Sequence, residues 1–293
     1  MTAAGTQVGP AGFEIGGVHV GLRVVGHQWA ECPLPQSYGE FALLGGSDLS
    51  LTLRAEPYDG PLPPPVFRSG VRWSLHLIDG AMVVITYAGA LGAYQALVYQ
   101  PESRRADVHL QSLAFGDRPY TVDIPLMQIL YVMMQDRVPS ALMHGCAIVA
   151  DGTGLAFIGE SGAGKSTLSQ LWIDSGLGTV LCDDRIIFRQ SEGGYRLHGT
   201  PWHGDVPSVS SCAPALDRVF LIKHGSANGI SRLSRADVVA SLMRCIFPPW
   251  WDAHGMSGIL GFLDRLVAQV PCYELSFVPT ADAPRFVLDN LDA

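Results

Sequence analysis

Hydrophobic and polar residues alternate along the first part of the chain with a period of two, which is the spacing of strands that bury one face. On this pattern, strands are predicted at residues 18–25, 49–54, 73–77 and 82–85. Asp79-Gly80 separates the last two runs, and an Asp-Gly pair between alternating segments indicates a hairpin turn. No group of residues in this part suggests catalysis. We therefore expect residues 1–122 to form a β-rich region that serves as a scaffold or docks a partner or substrate.

From residue 123 onward, strand-like runs are interspersed with helical ones. An apolar helix is expected to begin at Asp123 and to end near Met134. Further helices are predicted at residues 166–173, 235–246 and 256–269. Short apolar runs predict strands at residues 146–149, 155–158, 179–182, 185–189, 195–198, 218–223 and 272–277. Residues 123–293 are therefore predicted to form an α/β domain around a central sheet.

The composition argues against several classes of function. The net charge is −8 and only 16% of the 293 residues are charged, so no basic surface is expected to attract nucleic acid or an anionic membrane. No apolar run reaches the length of a membrane span, and the N-terminus lacks the pattern of a signal peptide. The six cysteines include no C-x-x-C pair, which disfavours a zinc site and favours reduced thiols. We expect a cytoplasmic protein that binds neither nucleic acid nor membrane.

A glycine-rich motif lies between the strand predicted at 155–158 and the helix predicted at 166–173. Its residues are Gly159, Glu160, Ser161, Gly162, Ala163, Gly164, Lys165, Ser166 and Thr167, which contain a complete G-x-x-x-x-G-K-S sequence. The glycines allow the backbone to curl until its N–H groups converge on phosphate oxygens. Lys165 supplies positive charge to the same oxygens, and the Ser166 hydroxyl is placed to ligate Mg²⁺. The motif predicts that this chain binds a nucleoside polyphosphate.

Two adjacent acids, Asp183 and Asp184, follow the strand predicted at 179–182, 18 and 19 residues after Lys165. An acid at this place lies beside the phosphate loop and can hold Mg²⁺ or its waters. Neighbouring residues of an extended chain point to opposite sides. One acid can therefore serve the metal while the other accepts a proton from an attacking hydroxyl. His144, 21 residues before Lys165, would on its own more often be a packed histidine than a catalytic one.

The order of these features resembles the catalytic core of bacterial HPr kinase/phosphorylase. His144-Gly145 precedes a hairpin turn at 151–154, the glycine-rich motif and then Asp183-Asp184, and the match covers about residues 140–225. The arrangement is also similar to the nucleotide core of ATP-dependent phosphoenolpyruvate carboxykinase. The resemblance implies an α/β fold with a P-loop core of this type, preceded here by the β-rich region. It also implies ATP and Mg²⁺ as cofactors.

Carried onto this sequence, the resemblance implies a role for each matching residue. His144 would be the active-site histidine, Lys165 the phosphate lysine and Ser166 a Mg²⁺ ligand. Asp184 would be the base that deprotonates an acceptor serine, although the register between it and Asp183 is open by one residue. Relatives of this kind often form homo-oligomers, so an assembly of identical chains is a further expectation.

One stretch departs from the bifunctional enzyme. Where that family has the glutamate of a Glu-x-Arg-Gly sequence, this chain has Arg196, so the metal contact is either lost or supplied by another acid, of which Asp205 is the nearest. The predicted metal-binding residues are Ser166, Asp183 and Asp205. The Gly-Thr-Pro-Trp sequence at 199–202 instead resembles HPr-kinase-like proteins of peptide-modification gene clusters, among them lasso-peptide precursor kinases. His198, His203 and Asp205 are predicted to lie in a loop over the site.

Three functions are consistent with these residues. The first is an ATP-dependent kinase that phosphorylates a hydroxyl, with a serine of a peptide or small protein as the expected acceptor. The second is a small-molecule alcohol kinase on the same core, and the third is a non-catalytic nucleotide-sensing module that docks a partner.

Two arginines and one aromatic stretch have open roles. Arg232 and Arg244 could stabilise a transferred phosphoryl group or form structural ion pairs. The aromatic stretch 247–251 suits either a peptide groove or core packing.

Overall fold

The computed structural model describes residues 12–25, 34–45, 47–87, 92–110, 124–135 and 138–291. The chain divides into two compact units, residues 1–134 and 135–293. Each unit is built on one large sheet with helices, so the fold class is mixed α/β. The predicted boundary followed residue 122, whereas the apolar helix after it belongs to the first unit, and Asp123 itself lies outside the described residues.

In the described part of the first unit, nine strands form one sheet, in agreement with the alternating pattern. They are β1 (Gly12–Ile15), β2 (Val18–Val25), β3 (Ala42–Leu43), β4 (Leu49–Arg54), β5 (Phe67–Ser69), β6 (Trp73–Ile78), β7 (Ala81–Tyr87), β8 (Ala93–Gln100) and β9 (Arg105–Leu110). Their order is β3-β1-β2-β4-β9-β8-β7-β6-β5, antiparallel except that β4 runs parallel to β2 and β9. A 3₁₀ helix (Gln36–Phe41) and α1 (Ile124–Met133) belong to the same unit. Asp79 and Gly80, with φ of 48° and 82°, form the predicted hairpin turn.

The second unit places helices around a mixed sheet of eight described strands. The strands are β10 (Ser140–Ala150), β11 (Thr153–Ile158), β12 (Thr179–Cys182), β13 (Arg185–Ser191), β14 (Gly194–His198), β15 (Arg218–His224), β16 (Gly229–Arg232) and β17 (Cys272–Phe277). The helices are α2 (Lys165–Ser175), α3 (Arg235–Cys245), α4 (Ala253–Gln269) and α5 (Ala283–Asp289). The sheet order is β14-β13-β10-β11-β15-β17-β16, with β12 paired to β10. The strand predicted at 146–149 thus begins six residues earlier, and β16 and α5 had not been predicted.

Three neighbouring strands of this sheet, β11, β15 and β17, run parallel, so their carboxyl ends meet at one edge. In open α/β sheets, ligands bind outside the carboxyl ends of the strands. The connection from β11 to α2, which carries the glycine-rich motif, leaves the sheet at this edge. The fold therefore places the motif where a ligand site is expected.

Apolar side chains cover both faces of the sheet. On one face, α3 and α4 pack through Val238, Leu242, Phe262, Leu263 and Leu266. On the other face, α2 and α5 pack through Leu168, Trp172, Ala283 and Val287. These side chains are almost completely buried, and each large one contributes about 2 kcal/mol of burial free energy.

Among the described helices, none combines the length and the apolarity needed to cross a membrane.

The helices of this unit differ in how they begin. Ser234 and Asp252 cap α3 and α4, accepting hydrogen bonds from the backbone N–H groups of Asp237 and His254. The residue immediately before α2 is Gly164, which has a left-handed conformation and offers no side-chain cap. The N–H groups of the first turn of α2 are therefore left to other acceptors, and an anion at a helix N-terminus is such an acceptor.

Candidate functional site

The connection between β11 and α2 together with the first two residues of α2, here called the glycine loop (residues 159–166), has a tightly curled backbone. Gly162 and Gly164 have φ of 82° and 96°, a region that strongly favours glycine. A Cβ atom added to Gly159 would lie 2.8 Å from Cγ1 of Ile222, and one added to Gly164 would lie 2.8 Å from Cζ of Phe277. The predicted strand–loop–helix order is confirmed, and all three glycines are required by conformation or by close packing.

Lys165 lies inside this loop. Its Nζ donates hydrogen bonds to the carbonyl oxygens of Gly159 at 2.8 Å and Glu160 at 2.9 Å. Only 6% of the residue is exposed, and this burial lowers the pKa of the ammonium, although the Asp184 carboxylate opposes the shift. Lys165 and Asp184 therefore lie within electrostatic reach of each other.

Asp183 is buried and connects the loop to a later segment. Its Oδ1 accepts a hydrogen bond from the N–H of Gly204 at 2.6 Å, and its Oδ2 accepts one from the N–H of Val206 at 2.9 Å. The hydroxyl of Ser166 donates to the same Oδ2 at 3.3 Å. Both carboxylate oxygens are thus used, and Asp183 holds residues 204–206 against the start of α2.

Ser166 and Asp183 form an oxygen pair that fits a magnesium ion. Mg²⁺ takes oxygen ligands in octahedral geometry, and adjacent ligands of such an ion lie about 3 Å apart. The 3.3 Å between Ser166 Oγ and Asp183 Oδ2 is close to this spacing. Asp205, the third predicted ligand, is exposed on the segment that Asp183 holds, and among the described residues no hydrogen bond joins it to this pair.

Asp184 has a different environment from Asp183. Its Oδ1 contacts Nε2 of His144 at 3.0 Å and also a guanidinium nitrogen of Arg185. The side chain is 28% exposed, whereas Asp183 as a whole is 1% exposed, so the two acids point to different sides, as predicted for an extended chain. Burial alone would raise the pKa of Asp184, but the His144 hydrogen bond and the charges of Arg185 and Lys165 outweigh it and lower this pKa. Asp184 is therefore an ionised carboxylate at neutral pH.

The segment after β14 lies directly on the acid pair. A Cβ atom added to Gly204 would lie 3.0 Å from Oδ2 of Asp183 and 3.1 Å from Cβ of Asp184. His203 donates to the carbonyl oxygen of Gly204 at 3.0 Å. Trp202 is buried, and its backbone N–H donates to the hydroxyl of Thr200. Of the three residues predicted to lie in a loop over the site, His203 and Asp205 flank Gly204, which lies against both acids.

Because Gly204 approaches both acids so closely, we expect Gly204→Ala to displace them by a few tenths of an ångström. Catalysis is sensitive to such shifts. For the phosphoryl transfer that the sequence predicts, we therefore expect kcat to fall roughly tenfold while the affinity for ATP stays unchanged. Steady-state kinetics of the variant test this expectation. Gly258→Ala is the matched control, since a Cβ atom on Gly258 in α4 meets open space. An unchanged kcat in Gly204→Ala would show that the close approach is unimportant.

His198 does not join this segment. It is the last residue of β14, pairs with Ile187, and is only 8% exposed, with Nε2 buried and without a hydrogen-bond partner among the described residues. Burial, with the charges of Arg189 and Arg196, lowers the pKa of His198 to about 4. The imidazole is therefore neutral in the folded chain and has a structural place in the sheet.

The burial of His198 predicts acid sensitivity. In the unfolded chain a histidine has a pKa of about 6.5. Between about pH 6.5 and pH 4 the unfolded state therefore binds more protons than the folded state, and the free energy of unfolding decreases as the pH is lowered. We expect a loss of roughly 3 kcal/mol from this residue, fully developed below pH 4. His198→Phe should remove it, whereas the surface substitution His203→Gln should not. Denaturant unfolding at pH 7.5 and 4.5, followed by tryptophan fluorescence, tests this; equal losses in the wild type and His198→Phe would refute it.

The arginines considered in the sequence analysis take different places. Arg196 lies on the edge strand β14 and donates from Nη1 to the carbonyl oxygen of Ala213 at 2.9 Å. Arg232 is exposed on the edge strand β16. Arg244, at the end of α3, contacts the Glu160 carboxylate at 2.8 Å and so touches the glycine loop.

A cavity of about 400 Å³ adjoins the glycine loop on the side of α3. Its polar lining includes two ion pairs, Glu160 with Arg244 and Lys223 with Glu274. His224 also lines it and donates from Nε2 to the carbonyl oxygen of Gly162 at 2.8 Å. His224 was not predicted as part of the site, although it directly follows the strand predicted at 218–223, and ligands of open α/β sheets bind outside the carboxyl ends of strands.

The structure brings five of the predicted residues together at one edge of the sheet: His144, Lys165, Ser166, Asp183 and Asp184. No model of a known protein family matches the chain, and no curated protein matches it significantly. A functional proposal therefore depends on the arrangement of these residues.

Proposed function

We propose that the second unit is an ATP-dependent kinase of HPr kinase/phosphoenolpyruvate carboxykinase type, which transfers the γ-phosphoryl group to a hydroxyl. The expected acceptor is a serine of a peptide or small protein. One observation carries this proposal: His144 holds Asp184 at 3.0 Å, and the neighbouring Asp183 accepts the Ser166 hydroxyl at 3.3 Å, so the acid pair lies at the start of α2 beside the glycine loop. Nucleotide binding alone has no need for a carboxylate there, whereas transfer to a hydroxyl does.

The glycine loop and α2 supply the binding site for the donor. The curled backbone and the uncapped N-terminus of α2 direct N–H groups to one place, which suits the β- and γ-phosphates of ATP. Lys165 adds a positive charge that water reaches poorly, which strengthens its attraction to phosphate. Ser166 and Asp183 would hold Mg²⁺, which neutralises charge on the phosphates when bound.

Asp184 is the base in this proposal. The serine oxygen forms a bond to the γ-phosphorus, the bond from that phosphorus to the β–γ bridging oxygen breaks, and ADP leaves. The hydroxyl proton passes to the Asp184 carboxylate. Because the lowered pKa of Asp184 makes it a weak base, its main contribution is to orient the hydroxyl, which agrees with the loose transition state of phosphoryl transfer. His144 donates to Oδ1 and thereby fixes the carboxylate.

The proposal is tested by incubating the purified chain with Mg²⁺, ATP, serine-containing peptides and small-molecule alcohols. Mass spectrometry then identifies any phosphorylated product. We expect phosphoserine in a peptide. Phosphorylation of alcohols alone would indicate the small-molecule alternative, and tight ATP binding without any transfer would refute the kinase in favour of a nucleotide sensor.

A further inference from the structure

Arg185 makes contacts that connect the acid pair to a distant part of the chain. Its guanidinium forms an ion pair with the Asp184 side chain and donates from Nη1 to the Asp184 carbonyl oxygen at 3.3 Å. The guanidinium carbon lies 4.4 Å from the ring centroid of Phe247, within the range of a cation–π contact. The arginine side chain is 19% exposed, so these contacts are partly shielded from water.

Phe247 is itself held firmly beside the site. Its N–H donates to the carbonyl oxygen of Leu142 at 2.9 Å, and the preceding Ile246 forms a β-bridge with Met143. Leu142 and Met143 belong to β10, the strand that also carries His144. Both side chains that contact Asp184 are therefore positioned by one strand, His144 directly and Arg185 through the ring on which it lies.

The two contacts leave one oxygen of Asp184 for a substrate. His144 and Arg185 both reach Oδ1. Among the described residues, none donates a hydrogen bond to Oδ2. A carboxylate held through one oxygen presents the other in a defined direction, which is what a group that orients a hydroxyl needs.

We propose that Arg185, stacked on Phe247, is a positioning residue that directs Oδ2 of Asp184 toward the acceptor hydroxyl. This inference depends on the proposed kinase function. The charge of Arg185 does not by itself make Asp184 a better base, because a neighbouring cation favours the ionised carboxylate over its protonated form. The contribution of Arg185 is therefore to orientation, and it requires a planar guanidinium that can contact the carboxylate and the ring together.

Arg185→Ala is the test, with kcat, KM for ATP and rescue by added guanidinium as readouts. We expect kcat to fall roughly a hundredfold, KM for ATP to stay within about twofold, and millimolar guanidinium to restore a measurable part of the rate. Arg185→Lys should restore less than wild-type activity, since an ammonium cannot take the place of the planar group. Phe247→Leu should lower kcat roughly tenfold with the arginine still present.

Arg235→Ala is the matched control, since Arg235 forms an exposed ion pair with Asp264 on the same unit and should leave kcat unchanged. Wild-type kcat in Arg185→Ala would overturn the inference. The inference would also be overturned if Arg185→Ala lost activity, guanidinium did not restore it and ATP binding was weaker, because that result would indicate a structural role. A wild-type chain that binds ATP but transfers nothing would instead refute the proposed function itself.

Discussion

Asp184→Asn is expected to lower kcat for phosphoryl transfer by about a thousandfold while the dissociation constant for ATP changes by less than about twofold. The asparagine side chain has the same shape and its oxygen can still accept the hydrogen bond from His144. It cannot take up the hydroxyl proton, and it carries no charge to orient the acceptor. Measurement of kcat and, by calorimetry, of ATP affinity in the same preparation separates the two effects.

Two other aspartates serve as comparisons. Asp174→Asn changes an exposed residue of α2 that accepts a hydrogen bond from Gln170, and it should leave both quantities unchanged. Asp183→Asn should weaken the dependence of kcat on Mg²⁺, because Asp183 is a proposed ligand of the ion. It should also loosen residues 204–206, because Asp183 accepts hydrogen bonds from the N–H groups of Gly204 and Val206. If Asp184→Asn keeps the full rate while Asp183→Asn loses it, the two acids have been assigned the wrong way round.

Lys165→Met is expected to weaken both ATP binding and transfer, the former by at least about tenfold and the latter by about a hundredfold or more. The ammonium is the buried positive charge of the loop, and methionine replaces its stem without the charge. Methionine avoids the cost of burying the ammonium, but it leaves the carbonyl oxygens of Gly159 and Glu160 without the Lys165 hydrogen bonds, so the variant's unfolding curve is measured as well. Calorimetry and transfer kinetics measure the two losses.

The chain contains a convenient control for this variant, since Lys165 and Lys223 are its only lysines. Lys223 is exposed, pairs with Glu274 and lines the cavity beside the glycine loop. Lys223→Met should keep ATP affinity within about twofold, because an exposed ion pair contributes little. Equal effects of the two substitutions would indicate that Lys165 has no specific contact with the donor.

Local sequence signals were sufficient for the glycine loop and the acid pair. The left-handed backbone of Gly162 and Gly164 is a local requirement of the motif, whereas the close packing around Gly159 and Gly164 involves Ile222 and Phe277 on later strands. The different environments of Asp183 and Asp184 follow from the alternation of an extended chain. Most other strand ends and helix starts of the second unit were predictable to within a few residues, because they follow local patterns; the exceptions are the early start of β10 and the elements β16 and α5.

Features that depend on distant contacts were not predictable. Arg185 and Phe247 are 62 residues apart, and nothing near either one indicates that they meet. The edge strand β16 and the short helix α5 have weak local patterns and owe their places to β17 and α2. His198 appeared to belong with His203 because they are close in sequence, but His198 is buried at the end of β14, whereas the His203 side chain makes an exposed hydrogen bond.

The proposed function requires that Asp184, Lys165 and the hydroxyl of Ser166 form one phosphoryl-transfer site at this edge of the sheet. Its most direct test is the simultaneous count of ADP and phosphoserine formed from γ-labelled ATP and a serine peptide, by the wild type and by Asp184→Asn. We expect one labelled phosphoserine per ADP from the wild type and almost none of either from the variant. Two results would contradict this proposal: ADP formed without labelled phosphoserine, or equal amounts of labelled phosphoserine from the wild type and from Asp184→Asn.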